Sequence, residues 1–331
     1  MGGSKAGLLN ASMSNIVEIV VATTALRKCQ LRVVQSSLIG SMLSKLLLVL
    51  GMCFFAGGLR FSEQAFESTT TQIHSSLLSI SVGAVLLPAA YHFSLSGGEG
   101  LASNEQKRDI LQMSHGVAVI LLIIYICYLL FQLYSHTHLY KDHKSTSNRH
   151  DLKSLHLHIA EPKLSWPLTM ALLVVVTVLV AINAEWLVES MDGISTTIIS
   201  KEWIGLILLP AVSSIAECVT TINVSRKDQL TLSIGVAVGS TIQTALFVIP
   251  FMVILGWILN KPLALLFDPF ESVVMYISVH TMGYVVADGK SNWLEGAILI
   301  CLYMIIAVCF WFYPGSTFSS TLAACQLDHS A

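Results

Sequence analysis

The chain has 331 residues, of which 54% are hydrophobic and 11% are charged, and its formal net charge is −2. An ordinary soluble domain carries about 25% charged residues, so this composition excludes that class. The small net charge gives no basic field for a nucleic-acid partner. The apolar residues lie in long runs, which are typical of membrane spans.

Nine apolar segments each approach the ~20 residues that a helix needs to cross a bilayer. Backbone polar groups in lipid must be satisfied within their own segment, so we predict an all-α integral membrane protein. Gly and Pro inside several segments are typical of helices that pack closely or line a cavity. The predicted spans, numbered one to nine below, are 7–26, 33–59, 71–93, 113–134, 164–188, 203–224, 230–259, 270–287 and 293–313.

The longest connection, at 135–163, divides the chain into two halves. Residues 1–134 hold four predicted spans, residues 164–314 hold five, and residues 315–331 form a tail. The connection contains six His, five Lys or Arg and three acidic residues, and the positive-inside rule places it in the cytoplasm. Its irregular composition favours a solvated linker, while metal binding or pH sensing by the histidines stays an alternative.

Spans one and six share a pattern around a glutamate. Span one contains NIVEIVVATTALRK around Glu18, and span six contains SIAECVTTINVSRK around Glu217. Twenty-two residues beyond each Glu, a Gly-Ser pair lies in the next span, at 40–41 and at 239–240. The equal spacing predicts an internal repeat. The two Glu helices are five spans apart, so simple alternation makes them cross in opposite directions, as in the inverted repeats of many secondary transporters.

The orientation follows from the linker. With 135–163 in the cytoplasm, loop 225–229 (SRKDQ) also lies on the cytoplasmic side, as the positive-inside rule prefers. The same orientation sends Arg27, Lys28 and Arg32 to the far side, which runs mildly against that rule.

An acid within a membrane span is a functional candidate, because a charge at bilayer depth is costly. Two acids at equivalent repeat positions would meet at the interface of the halves, and with hydroxyl and amide oxygens they suit a hard cation such as Ca²⁺ better than copper or zinc. Close carboxylates titrate as a unit, so they would take up protons without the ion and lose them with it. Pairing of each acid with a neighbouring helix is the structural alternative. The predicted site residues are Glu18, Glu217, Asn15, Ser214, Ser41, Ser240 and Gln243.

Other polar residues carry weaker signals. Glu185 and Glu189 lie four residues apart near the end of span five, on one helix face. They could line an ion-access or proton path, or form an interfacial pair. Gln35 and Gln243 lie in the helices with the Gly-Ser pairs, where their amides could complete a cation shell or form interhelical hydrogen bonds.

The segments SNIVEIVVATTALRKCQLRVVQSSLIGSMLSKLLLVLG and SSIAECVTTINVSRKDQLTLSIGVAVGSTIQTALFVIPFMVILGW resemble the two signature repeats of the vacuolar Ca²⁺(cation)/H⁺ exchangers. DGKSNWLEGAILICLYMIIAVCFWFYP resembles that family's last helix, so the likeness runs from about residue 7 to 314. It implies an inverted 5+5 repeat of the Ca²⁺/cation antiporter superfamily and export of cytosolic Ca²⁺ into the vacuole against protons. The central acids of the two motifs fall on Glu18 and Glu217.

The resemblance also implies a vacuolar or other endomembrane location, with Ca²⁺, H⁺ and the bilayer as partners. A homo-oligomer stays open. The family has two more spans upstream of its first signature helix, and one of them is the repeat mate of span five. The 5+5 architecture is therefore expected to be incomplete in this sequence, as in an amino-terminal truncation.

The signature motifs depart from the family pattern. G-N-A-x-E is replaced by SNIVE at 14–18, and G-N-A-A-E-H is replaced by SSIAEC at 213–218. The added side chains would crowd a helix break at the site. Lys45 stands where the family usually has Asn. We hypothesise that its ammonium occupies cation space, pairs with Glu18 and weakens Ca²⁺ binding, and the alternative is snorkelling or contact with another polar group.

Two further functions stay open beside Ca²⁺/H⁺ exchange. One is an antiporter of altered selectivity, for Mn²⁺ or a monovalent ion. The other is a non-transporting membrane partner of active exchangers, which the altered motifs favour. The sequence contains no P-loop, nucleophile elbow or zinc-binding helix motif, so neither an enzyme nor a resident cofactor is expected.

Overall fold

The structure, a computed structural model, describes residues 3–96, 104–136, 166–194 and 200–313. These residues are mostly helical. The helices are α1 (Gly3–Arg27), α2 (Leu31–Leu43), α3 (Leu50–Gly58), α4 (Ser68–Ser96), α5 (Asn104–Leu130), α6 (Trp166–Ile194), α7 (Lys201–Trp203), α8 (Leu209–Ser213), α9 (Ile215–Ser225), α10 (Leu230–Gln243), α11 (Ile249–Ile258), α12 (Pro269–Val285) and α13 (Trp293–Trp311).

Short π-helical segments join several of these helices into longer rods. They are π1 (Ser44–Val49), π2 (Phe131–Ser135), π3 (Ile204–Leu208) and π4 (Thr244–Val248). Two short strands, β1 (Gln64–Ala65) and β2 (Lys290–Ser291), pair antiparallel. The predicted linker beyond residue 136 and the predicted tail lie outside the described residues.

Six of the predicted spans have helices that are long and apolar enough to cross a membrane, counting one bent pair as a single span. The straight ones are Leu31–Gly58, Ser68–Tyr91, Arg108–Ser135, Leu230–Ile258 and Trp293–Trp311, and the bent pair is Ile204–Ser213 with Ile215–Ser225. Spans one, five and eight coincide with α1, α6 and α12. The all-α membrane architecture is therefore confirmed, and the count of nine crossings stays a prediction.

The two glutamate helices end at opposite faces of the bundle. Just beyond α1, Arg32 lies 3.5 Å from Asp268, which directly precedes α12. At the end of α9, the Ser225 carbonyl accepts a hydrogen bond of 3.1 Å from Gln64 in β1, and β1 pairs with β2, which follows α12. The 17 residues of α12 separate these points by about 25 Å at 1.5 Å per residue. α1 and α9 therefore run in opposite directions, as the inverted repeat predicts.

The centre of the bundle is formed by the rods that follow the two glutamate helices. In the most apolar stretch of Leu31–Gly58, 83% of the residues are buried, and in that of Leu230–Ile258, 67% are buried. The value for Trp293–Trp311 is 28%. The outer helices expose large apolar side chains, which a lipid-facing surface requires. Gly40, Ser41 and Ser240 are consequently buried, and Gly239 is half-buried.

Glycines allow the closest approach between helices. A Cβ on Gly296 of α13 would overlap the Phe55 backbone nitrogen, and a Cβ on Gly51 would lie 3.0 Å from the Gly296 carbonyl oxygen. α3 and α13 therefore pack backbone to backbone, as small residues permit in membrane bundles.

Candidate cation-binding site

Span six is broken one turn before its glutamate. α8 ends at Ser213, α9 begins at Ile215, and the two segments are bent by 48°. The Pro210 carbonyl accepts hydrogen bonds from the hydroxyls of Ser213 (3.0 Å) and Ser214 (2.5 Å), so the serines that replace the family's Gly and Asn lie at the break itself. Glu217 falls in the first turn of α9, where the helix dipole favours a negative charge.

The corresponding stretch of the first repeat is not broken. α1 continues as one helix from Gly3 to Arg27, through the SNIVE motif at 14–18. Glu18 therefore lies in the middle of a continuous helix, whereas Glu217 lies in the first turn of a helix that follows a break.

π-helical segments lie at matching places in the two repeats. π1 begins at Ser44, and its next residue, Lys45, is twenty-seven residues beyond Glu18. π4 begins at Thr244, which is twenty-seven residues beyond Glu217. Lys45 and Thr244 are thus repeat counterparts. Such π-helical turns often occur at functional sites, because they redirect side chains out of the regular helical pattern.

Glu18 is held by residues from both repeats. Its Oε1 accepts a hydrogen bond of 2.5 Å from the Ser41 hydroxyl, and its Oε2 accepts one of 3.1 Å from Thr244. The Lys45 ammonium lies 2.5 Å from Oε1. Lys45 therefore pairs with Glu18, as the sequence suggested, and being buried it does not snorkel; it also contacts the polar side chain of Asn15, as the alternative allowed.

Glu217 faces the same ammonium from the other repeat. Its Oε1 lies 3.8 Å from Lys45 Nζ, and it accepts a long hydrogen bond of 3.5 Å from the Ser240 hydroxyl. The Glu217 side chain is 7% exposed and that of Glu18 is 11% exposed. The two acids therefore meet in the interior, within 4 Å of one nitrogen.

Asn15 links the two repeats beside the acids. Its Nδ2 donates to the Ser240 carbonyl (3.2 Å) and to Gln243 Oε1 (2.9 Å). Its Oδ1 accepts from the Lys45 ammonium (2.6 Å) and from the Ser240 hydroxyl (3.1 Å). Gln243 in turn donates to the Tyr125 hydroxyl at 3.0 Å, which ties α5 to the cluster.

Ser214 makes the repeat-related contact. The Ser214 hydroxyl lies 2.6 Å from the Ser44 hydroxyl, and this pair corresponds by repeat position to Asn15 with Gln243. Ser214 Oγ also donates to the Pro210 carbonyl, outside the cluster of acids. Ser214 therefore lies at the edge of the cluster.

The structure thus brings together six residues of the predicted site, with Ser214 at the edge, and it adds three that sequence reasoning missed. Thr244, Ser44 and Tyr125 contact the cluster directly or through Gln243. Repeat spacing could have found Thr244, since it is the counterpart of Lys45. No signal in the sequence points to Tyr125, because its contact depends on how α5 packs against π4.

The other predicted polar residues lie elsewhere. Gln35 donates to the carbonyls of Ala264 and Leu266, so its amide anchors a loop. Glu189 lies 2.7 Å from Lys28 at the far end of α1, and the side chains of Glu185 and Glu189 are 61% and 62% exposed. This is the geometry of the interfacial pair. Neither acid touches the cluster.

A cavity of about 560 Å³ lies between α1, α2, α6 and the start of span six. Its lining is mainly Val and Leu, and the polar groups on it include Glu18, Ser41 and Asn183. Asn183 is two residues before Glu185 in α6. The cavity therefore places an accessible volume next to the first carboxylate.

The cluster offers oxygen ligands of the kind that a hard cation prefers. Within the four described ranges, no group of three or more His, Cys, Asp or Glu side chains could hold a metal ion. A cation between Glu18 and Glu217 would consequently depend on neutral hydroxyl and amide oxygens for the rest of its shell. Ca²⁺ takes six to eight oxygens of mixed type.

An inverted repeat with paired buried acids at its centre defines the fold of a secondary cation transporter. The chain matches the family model described as sodium/calcium exchanger protein over residues 2–134 and 168–312, and it belongs to that family.

Curated proteins of similar sequence are calcium transporters by name. A vacuolar calcium ion transporter of Cryptococcus neoformans is 44% identical over 98% of this chain and 66% of its own length, so this chain spans just under two thirds of that relative. A vacuolar calcium ion transporter of Schizosaccharomyces pombe is 41% identical over 95% of this chain and 73% of its own. A Ca²⁺/H⁺ antiporter of Aphanothece halophytica is 37% identical over 95% and 83%.

Solved structures share the fold. Native YfkE superimposes with a TM-score of 0.74 at 30% identity, covering 95% of this chain and 87% of its own. A selenium-substituted form of YfkE, described as a Ca²⁺/H⁺ antiporter protein, gives a TM-score of 0.72 at 28% identity over 93% and 85%. The antiporter architecture expected from the sequence is therefore confirmed.

Proposed function

We propose that this protein is a Ca²⁺/H⁺ antiporter of the vacuolar membrane, which moves Ca²⁺ from the cytosol into the vacuole in exchange for protons. The observation that carries the proposal is the meeting of Glu18 and Glu217, from oppositely directed helices, around one cation, the Lys45 ammonium. Because the space between Glu18 and Glu217 holds one positive charge, it is also suited to hold a transported cation. The names of the Cryptococcus neoformans, Schizosaccharomyces pombe and Aphanothece halophytica relatives, two vacuolar calcium ion transporters and a Ca²⁺/H⁺ antiporter, support the same activity.

The mechanism follows from competition for shared oxygens. Two carboxylates that share the single Lys45 ammonium keep one negative charge in a low-dielectric interior, so a proton or a transported cation is needed to balance it. The sites for both substrates are then the same atoms, Glu18 and Glu217, with Ser41, Ser240, Asn15, Gln243 and, at the edge, Ser214 as neutral ligands. Rocking of one repeat against the other would expose these atoms to each face in turn.

We infer that the cavity beside Glu18 is the route by which ions reach the site. It lies between α1 and α6, and Asn183 on its wall precedes the exposed acids Glu185 and Glu189. We infer that these acids attract cations toward the cavity from that face of the membrane. If the predicted linker is cytoplasmic, this face is the lumenal one.

A second function is favoured by one observation. Lys45 already fills the space between the acids, which supports a non-transporting membrane partner of active exchangers, or an antiporter for a different cation such as Mn²⁺ or a monovalent ion. These alternatives make different predictions for Ca²⁺ uptake.

The test is pH-gradient-driven ⁴⁵Ca²⁺ uptake into sealed vesicles that contain the purified protein. We expect uptake that collapses with a protonophore and disappears in Glu18→Gln and in Glu217→Gln. Glu63→Gln is the matched control, because Glu63 is an exposed acid paired with Lys290. Uptake that survives either site substitution contradicts the shared-carboxylate mechanism. Absence of Ca²⁺ uptake in the wild type, with uptake of Mn²⁺ or a monovalent ion, supports altered selectivity, and absence for all cations supports the non-transporting protein.

A further inference from the structure

Lys45 is buried at the centre of the site. Its relative exposure is 1%, and it is among the largest fully buried side chains of the described residues. The oxygens around Nζ belong to Glu18 (2.5 Å), Asn15 (2.6 Å) and Glu217 (3.8 Å). Each of these residues is part of the predicted cation site. The ammonium therefore takes the position of a ligated ion.

The charge of the site differs with and without this ammonium. Two ionised carboxylates carry a formal charge of −2, which matches a divalent cation. With protonated Lys45 in place, the formal charge is −1, which matches a proton or a monovalent cation. A Ca²⁺ ion bound to Glu18 beside the ammonium would meet a like charge at contact distance in a medium that screens poorly.

The repeat shows that this position does not require a lysine. Thr244, the counterpart of Lys45, donates its hydroxyl to Glu18 at 3.1 Å and also lies 3.4 Å from Asn15 Oδ1. A short neutral side chain at the start of a π-helical segment thus reaches the same acid. The positive charge is a property of the first repeat alone.

We propose that Lys45 is a specificity-determining residue, a tethered counter-ion that must leave Glu18 before a divalent cation can bind. The inference rests on the proposed function, since it assumes that Glu18 and Glu217 are the cation ligands. It follows that this protein binds Ca²⁺ more weakly than its own fold permits, and that a neutral residue at position 45 restores a divalent site.

Equilibrium binding of ⁴⁵Ca²⁺ to the purified protein tests this without any need for transport. We expect Lys45→Gln and Lys45→Asn each to lower the Kd for Ca²⁺ by at least about tenfold, since a like charge is removed from contact distance. Lys45→Arg keeps the charge and is expected to bind no better than wild type. Lys290→Gln is the matched control, because it removes an exposed lysine that pairs with Glu63.

The outcomes separate clearly. Equal Kd values in wild type, Lys45→Gln and Lys45→Asn overturn the proposal, and so does a failure of all three to bind Ca²⁺. A gain in Lys45→Arg equal to that in Lys45→Gln shows that charge is not the cause and also overturns it. Two neutral variants are used so that a folding defect in one, detected by size-exclusion chromatography, leaves the other.

Measuring Ca²⁺ uptake into vesicles beside Ca²⁺ binding separates a failure of this inference from a failure of the proposed function. If Lys45→Gln binds Ca²⁺ tightly and neither form moves it across vesicles, the counter-ion assignment stands and the antiporter function fails. If the wild type transports Ca²⁺ and the Lys45 variants bind it with unchanged Kd, the antiporter function stands and the counter-ion assignment fails.

Discussion

The two repeats build their halves of the site differently. Glu18 projects from an unbroken helix and has three contacts of 3.1 Å or less, with Ser41, Thr244 and Lys45. Glu217 follows a helix break and lies 3.5 Å from the Ser240 hydroxyl and 3.8 Å from the Lys45 ammonium. Two acids that are equivalent in the sequence are therefore unequal in the fold.

The difference shows how a symmetric architecture can hold an asymmetric site. The shared spacing brings both acids to the interface, and a single departure, Lys45, assigns the nearby positive charge to Glu18. Glu217 lies in the N-terminal turn of α9, where the helix dipole favours its negative charge. The first half is consequently a close ion pair, and the second half places its acid at a helix start.

The largest expected effect comes from neutralising the two acids in turn and comparing stability. Glu18→Gln leaves the Lys45 ammonium buried without its nearest carboxylate, and removing one partner of a buried pair costs about 3–5 kcal/mol. Glu217→Gln leaves that pair intact and should cost about 1 kcal/mol or less through its lost hydrogen bond. Thermal unfolding in detergent measures both, and equal losses would contradict the asymmetry.

A second effect tests the contact between the repeats. A Cβ on Gly40 would overlap the Leu206 carbonyl oxygen, so Gly40→Ala should destabilise the protein by about 1–3 kcal/mol and reduce ion uptake. Gly83→Ala is the matched control, because a Cβ there meets no described atom within 4 Å, and its helix position should gain up to about 1 kcal/mol. Tolerance of alanine at Gly40 would mean that α2 and span six are less tightly packed than the structure has them.

A third effect compares the repeat-related polar residues. Asn15→Ala removes contacts with Lys45, Ser240 and Gln243, and the loss of one oxygen ligand worth ~1 kcal/mol should raise the Ca²⁺ Kd about fivefold. Ser214→Ala removes a hydroxyl pair with Ser44 and should change the Kd by about twofold. Ca²⁺ binding isotherms decide this. A larger effect of Ser214→Ala would move the ion toward the helix break.

The smallest effect is expected at the exposed acids of α6. When Ca²⁺ is supplied on the membrane face where these acids lie, Glu185→Gln and Glu189→Gln should each raise its KM by about twofold at low salt and not at high salt, because exposed charges act weakly and are screened. A change that persists at high ionic strength would place these acids inside the ion path. No change at low salt would reduce them to an interfacial pair with Lys28.

Much of this arrangement could be predicted from the sequence. Hydrophobic run lengths predict the helices, and the twenty-two-residue spacing predicts a repeat that pairs Glu18 with Ser41 and Glu217 with Ser240. The separation of the two Glu helices by five spans predicts that they run in opposite directions. Asymmetric details could not be predicted. The break at Ser213 without a break in α1, and the contact of Gln243 with Tyr125, depend on packing between distant segments, which spacing alone does not encode. The pairing of Lys45 could be predicted, because a charged side chain at bilayer depth is costly in free energy unless it has a buried partner.

The central claim is that Ca²⁺ and protons compete for Glu18 and Glu217. The direct measurement is proton release from the purified protein in weakly buffered detergent solution, followed with a pH-sensitive dye while Ca²⁺ is added. The wild type and the control Glu63→Gln should release protons as Ca²⁺ binds, and Glu18→Gln and Glu217→Gln should release fewer or none. Binding of Ca²⁺ by the wild type without proton release, or undiminished release by both site variants, would contradict the account.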